Sequence, residues 1–209
     1  MKQYDVIIIG AGPGGIFSAY ELSHKRSDLK IAVFECGNPL EKRKCPIDGK
    51  TVTKCVGCPT CSIMNGFGGA GAFSDGKYNI TNDFGGTLYE YIGKQQALDL
   101  MRYVDAINVR YGGESTKLYS TAGTHFKTLC IQNDLHLLDA SVRHLGTDIN
   151  YIVLENLYNY LRDKVTFFFD TPVQSVSAKE NGYEIIPACA MHTTSGGLVA
   201  QEVVEQFIF

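Results

Sequence analysis

Neither sign of charge dominates the 209 residues: 19 lysines and arginines stand against 22 aspartates and glutamates, a net charge of -3. That excludes the domain-wide positive field that draws nucleic acid or anionic lipid, and it makes a small molecule the expected partner. A long hydrophobic run is also missing. The longest near the amino terminus, Val6 to Ile9, falls far short of the roughly 18 residues a bilayer span needs, and Asp5 precedes it where a secretory signal would be basic. The chain therefore reads as cytoplasmic, with no membrane partner. Internal repeats and low-complexity tracts are absent, so no repeat architecture is expected. The cysteines lack the even count of a disulfide framework. There are seven, three of them packed as Cys55, Cys58 and Cys61, which suits a reducing compartment and metal or redox chemistry.

What remains is ordinary globular material, 44% hydrophobic and 20% charged, enough for the core of one domain or a domain with a small insert. Glycine is the anomaly: 22 copies in 209 residues, above the usual ~7%, and clustered. Tyr4 to Ile9 is apolar and β-branched without alternation, the pattern of a strand in a parallel sheet. Glycines stop it at Gly10. Ile16, Ala19, Tyr20 and Leu22 then recur at helical spacing, with His24, Lys25 and Arg26 suited to the helix end, and Ile31 to Phe34 supplies a second strand. The first 35 residues read as one βαβ unit.

From Cys36 to about Ile80 periodicity disappears, and a long irregular stretch inside a compact domain is usually functional. A long amphipathic helix is predicted over Thr87 to Tyr111, a second over about Thr121 to Asn133 and a third over Asp148 to Arg162, capped by Thr147 or Asp148. Strands are expected at Val165 to Phe169, Val173 to Ala178 and Tyr183 to Ile186, the last two joined at Asn181-Gly182. The fold class is α/β: a Rossmann-like domain with a parallel sheet, a helical insert and a small β-meander, incomplete at its carboxyl end. The segments are residues 1–86, the βαβ unit with its glycine- and cysteine-rich loop; 87–164, helical; 165–186, returning strands; and 187–209, an atypical tail with at most a short helix near Val199 to Phe207.

Three motifs carry chemistry. In Gly10-Ala-Gly12-Pro13-Gly14-Gly15, Gly10 permits a tight turn, Gly12 lets a pyrophosphate approach the backbone, and Gly15 lets the helix pack close to the strand. The helix N-terminus offers unpaired N–H groups and a partial positive charge. Glu35, ending the second strand, is placed to accept hydrogen bonds from a ribose and to repel the 2′-phosphate of NADP. The second motif, Gly66 to Gly76, holds five glycines in eleven residues, so backbone can approach a flat ligand. The third is Cys55-x-x-Cys58-x-x-Cys61 with Cys45 upstream, a set that could complete an iron–sulfur or zinc site, form a redox-active dithiol, or stay unliganded. Arg143, His144 and Asp148 form a polar cluster before a helix that could orient a substrate, although capping and surface solvation are the commoner explanation of such a cluster.

Tyr4 to Gly15 with Val33-Phe34-Glu35 resembles the amino-terminal FAD-binding unit of glutathione-reductase-like flavoproteins. Arg43-Lys-Cys45-Pro46, the triple-cysteine run, Gly68 to Lys77 and Arg143 to Asp148 together resemble a narrower group, the bacterial and archaeal uncharacterised FAD-dependent dehydrogenases or NAD(P)/FAD-dependent oxidoreductases. The resemblance covers about residues 3 to 186. It implies FAD, with Gly10, Gly12, Pro13, Gly14 and Gly15 on the pyrophosphate side and Glu35 on the adenine-side ribose. It also implies that Arg43, Gly69, Ala70 and Gly71 lie near the phosphates or flavin, and that the strand around Val173 offers backbone to the adenine. Family members are much longer, so the chain resembles an amino-terminal fragment with an unrelated tail from Pro187. The function expected is a truncated flavin-dependent oxidoreductase acting on a small-molecule substrate or an electron donor such as NAD(P)H. The alternatives are a metal-binding electron-transfer module on a nucleotide-binding scaffold, or a non-catalytic fragment. Neither a catalytic base nor an oligomeric state is specified.

Overall fold

The parallel arrangement follows from two apolar runs joined by one helix. In a computed structural model describing residues 2–188 and 205–207, β2 (Val6–Ile9) leads through a glycine turn into α1 (Pro13–Lys25) and on to β3 (Ile31–Phe34). Strand β2 pairs in parallel with β3, Val6 against Ile31 through Ile9 against Phe34, and β3 pairs in parallel with β7 (Val165–Phe168). The central position of β3 explains why all four of its residues are buried. Helix α1 buries Ile16, Ala19, Tyr20 and Ser23, one stripe at helical spacing.

The run expected as one strand from Tyr4 is two. Asp5 interrupts it: its backbone N–H donates to the Lys30 carbonyl, its carboxylate accepts from the Lys30 N–H at 2.7 Å, and β1 (Lys2–Tyr4) joins a different sheet. That sheet has the order β1-β10-β9-β8, with β8 (Val173–Lys179), β9 (Gly182–Pro187) and β10 (Glu205–Phe207). The hairpin between β8 and β9 forms as the glycine suggested, but Gly182 pairs with Lys179, so the two-residue loop is Glu180-Asn181. Tyr4, Ala32, Phe34 and Ile185 are buried together, with Ile7, Phe168 and Val173 against them, and the Phe34 ring stacks on Phe168 at 4.7 Å. Of the expected tail helix, Val199 to Val204 lies outside the described residues, while Glu205–Phe207 is strand.

The chain divides into two compact units, Met1–Ala72 with Leu157–Phe209, and Phe73–Asn156. The second is not purely helical, which corrects the expectation for residues 87–164. It contains an antiparallel sheet, β4-β6-β5, made of β4 (Lys77–Ile80), β5 (Leu118–Ser120) and β6 (Ser141–His144), strands too short to show a period. The long helix is broken in two, α2 (Leu88–Ile92) and α3 (Lys94–Asn108), because Gly93 takes φ +84° and ψ 152°. Helices α4 (Phe126–Gln132) and α5 (Gly146–Leu161) complete the set. Among the described residues no helix is long and apolar enough to cross a membrane.

Phe34 ties the parallel sheet to β9 through one buried cluster. Replacing it with alanine is expected to cost about 3–5 kcal/mol, measured by chemical denaturation; a loss below about 1 kcal/mol would contradict this packing.

Candidate functional site

The turn after β2 is shaped by close approach. Gly10, at φ +97°, donates its N–H to the Phe34 carbonyl at 2.7 Å, and a Cβ on Gly15 would overlap the Gly10 carbonyl oxygen. Gly15 is thus required by the packing of α1 on β2, as its spacing predicts. Gly12 and Gly14 differ. Gly12, which caps α1 with φ -75° and ψ -177°, has backbone angles open to any residue, and an added Cβ at either position would meet nothing within 4 Å. Pro13 begins the helix, no side chain caps it, and Ile16 makes the first backbone bond back to Gly12 at 2.9 Å.

Glu35 is 5% exposed, and its carboxylate is held by backbone amides from three segments. Oε2 accepts the Ala11 N–H at 2.7 Å, while Oε1 accepts the N–H groups of Gly37 at 2.8 Å and Gly66 at 2.9 Å. The Cys36 thiol lies 3.4 Å from Oε1 and 3.6 Å from the Asn65 side-chain oxygen. Burial opposes ionisation of the Glu35 carboxyl; the hydrogen bonds from Ala11, Gly37 and Gly66 outweigh it and hold the group below its ordinary range. Beside the expected ribose role, then, the carboxylate ties the first glycine turn to the second.

That second segment lies on the first. Gly68 donates to the Ala11 carbonyl at 2.8 Å, and a Cβ on Gly69 would stand 3.2 Å from the Gly12 Cα. At Gly66, φ is +114° and a Cβ would come within 2.5 Å of the Asn38 carbonyl oxygen; one on Gly37 would overlap the Gly66 nitrogen. Gly69, Ala70 and Gly71 lie in a single 3-10 turn, Gly69–Phe73. Phe67 points inward and is fully buried, its ring 5.1 Å from Tyr158 and 5.8 Å from Phe167. Gly66 opens the second glycine motif of the sequence, but its bond to Glu35 was not foreseen there, and Gly37 went unrecognised, with proximity to Glu35 its one local signal.

Arg43 is 4% exposed, and its guanidinium donates to the carbonyls of Ser62 at 2.9 Å, Ile63 at 2.8 Å and Phe67 at 2.7 Å. Val173 opens β8 half-buried against the Phe34 cluster, at a register shift before Ser175. The expected metal set finds no support. Among the described residues no three His, Cys, Asp or Glu side chains are grouped to hold an ion. Cys45 and Cys55 are exposed and Cys58 and Cys61 half-buried on a loop that includes one turn closed by Asp48, which accepts the N–H groups of Lys50, Thr51 and Val52 at 2.8–2.9 Å. In the second unit, the polar cluster of Arg143, His144 and Asp148 separates. Arg143 turns inward to pair with Asp105 at 2.6 Å, while His144 and Asp148 are exposed.

No family model matches the chain. Among curated proteins, a thiamine thiazole synthase of Phaeosphaeria nodorum is 57% identical over 35 residues, which is 17% of this chain and 11% of that protein. Among solved structures, the 3-ketosteroid-delta4-(5alpha)-dehydrogenase from Rhodococcus jostii RHA1, in complex with 4-androstene-3,17-dione, superposes with a TM-score of 0.52 at 13% identity. The match covers 98% of this chain and 44% of that one. Glycine oxidase from Geobacillus kaustophilus gives a TM-score of 0.48 at 14% identity, the match covering 90% of this chain and 52% of that one. The Rhodococcus likeness shows a shared mixed α/β fold with a parallel sheet and helices, and this chain spans less than half the length of that structure.

A depressed carboxyl stabilises the fold above its unfolded pKa and ceases to do so as pH falls through its folded value. Glu35→Gln is therefore expected to cost about 1.5–3 kcal/mol at pH 7, with the gap to the wild type closing as pH falls below about 4.3. Denaturation midpoints across pH 3 to 7 check this; a gap that does not change with pH would show that the Glu35 charge is not the stabilising element.

Proposed function

We propose that the first unit binds FAD and that the chain is the cofactor-binding part of a flavin-dependent oxidoreductase. The observation that carries this is the unfilled space at Gly12 and Gly14. Both lie at the start of α1 in conformations that alanine would accept, and among the described residues nothing occupies the place of a Cβ. Glycine there meets no need of the fold itself, but it is what a pyrophosphate requires in order to reach the helix N-terminal amides. The residues present fit such a group. The amides of the first turn of α1 hold the pyrophosphate, and Glu35 Oε2, which takes one backbone bond, has a further acceptor position for a ribose hydroxyl.

The Gly69-Ala70-Gly71 turn, lying on Gly12, supplies backbone without side-chain bulk toward the flavin end, and the backbone of β8 at Val173 is offered to the adenine. When bound, the isoalloxazine supplies hydride or single-electron transfer, while the protein orients it and excludes water. A small-molecule substrate, or a reductant such as NAD(P)H, completes this reading. The fold shared with a Rhodococcus dehydrogenase supports the oxidoreductase class, and no residue is assigned as a catalytic base.

The two kinds of glycine separate the ligand from the fold. Gly12→Ala is expected to leave thermal stability near that of the wild type while weakening FAD binding about tenfold or more, equivalent to about 1.4 kcal/mol. Gly15→Ala is expected to destabilise the protein itself. Flavin absorbance released on denaturation and FAD titration provide the readout. A folded wild-type chain that neither carries nor takes up FAD, or a Gly12→Ala variant binding it as tightly, would sink the assignment.

A further inference from the structure

Residues 62–68 lie in irregular chain, outside any strand, yet Gly66, Phe67 and Gly68 are buried. Their polar backbone groups need partners that a sheet would otherwise give. Two buried charged side chains supply several of them. Glu35 takes the Gly66 N–H, and Arg43 takes the carbonyls of Ser62, Ile63 and Phe67 through three different nitrogens. The fit is close: a Cβ on Gly66 would come within 2.6 Å of the Arg43 Cδ. A planar fork with divergent donors reaches three separated carbonyls from three nitrogens, whereas a lysine ammonium gathers its three donors on one nitrogen at the end of a flexible stem.

We propose that Arg43 is a positioning residue of the dinucleotide site: it sets the shape of the Gly66–Gly71 loop, and through that loop the affinity for the cofactor, by binding the protein's own carbonyls rather than the cofactor phosphates. This rests on the FAD reading above. The chain of contacts runs from the guanidinium to the Phe67 carbonyl, then to Gly68, whose N–H bonds to Ala11, and to Gly69, lying on Gly12. A loose loop would move the wall that faces the pyrophosphate, and every ligand would bear the cost of ordering it.

The test uses the full chain without flavin, followed by hydrogen–deuterium exchange over residues 61–72, and FAD titration, for the wild type, Arg43→Lys, Arg43→Met and Arg43→Ala. The Gly66 and Gly68 amides should be protected in the ligand-free wild type. Arg43→Lys and Arg43→Met should both speed exchange there at least about tenfold and raise the FAD dissociation constant about tenfold or more. Added guanidinium at millimolar concentration should restore Arg43→Ala on both readouts. An unprotected loop in the ligand-free wild type overturns the proposal without need of any variant. So does an Arg43→Lys protein that keeps wild-type exchange and affinity while Arg43→Met loses only affinity, the pattern of a charge contacting phosphate. If the wild type fails to take up FAD, the FAD reading falls alone, and the exchange comparison in ligand-free protein still decides the role of Arg43.

Discussion

A carboxylate removed from water must find hydrogen-bond donors, and Glu35 finds them in three stretches of backbone at once. Its bonds to Ala11, Gly37 and Gly66 bring together the turn after β2, the chain leaving β3 and the loop reached some thirty residues later. Each of those amides is buried in a place where no strand could serve it, so the carboxylate and the loops each satisfy what burial would otherwise leave unpaired. The approach is close enough that side chains at Gly15, Gly37 or Gly66 would collide with neighbouring backbone. Glycine at those three positions is thus a consequence of backbone packing on backbone.

Beneath that hub lies an aromatic floor. Phe67 enters from the loop and meets Tyr158, Phe167 and Phe169, with Phe167 and Phe169 stacked at 5.5 Å. The loop is therefore fixed from two sides, by charged hydrogen bonds to its backbone and by burial of its one large side chain. The second unit uses the same device on a smaller scale. Arg143 on β6 pairs in two-pronged fashion with Asp105 on α3 and also donates to the Thr116 carbonyl at 2.6 Å, holding the approach to β5. In both units a buried arginine does for irregular chain what a neighbouring strand does for a sheet edge.

The βαβ unit was legible because its signals are local. Ile31 to Phe34 reads as a buried strand and is one, the stripe through Ile16, Ala19 and Tyr20 faces inward, and the spacing from Gly10 to Gly15 states its own geometry. What escaped were features decided at a distance. The strands of the second sheet are three or four residues long and carry no period, and Gly93, inside an otherwise unbroken helical pattern, ends one helix and begins another. The thiols of Cys45, Cys55, Cys58 and Cys61 have a ligand-like spacing, but spacing does not say whether side chains converge, and along this exposed loop they do not.

The sequence by itself determined the order of elements at the amino end, the turn that opens α1, and the acid closing β3, because backbone sterics and helical or strand periodicity act over a few residues. The partners of that acid were decided only in three dimensions. Glu35 could be read as a group awaiting a ligand, and Arg43, by resemblance, as one close to phosphate. In the folded chain both spend hydrogen-bonding capacity on backbone amides and carbonyls that arrive from far along the sequence. The reason is physical: which polar groups become buried together depends on how the chain returns on itself, and a buried charge binds whatever donors or acceptors that return brings within reach.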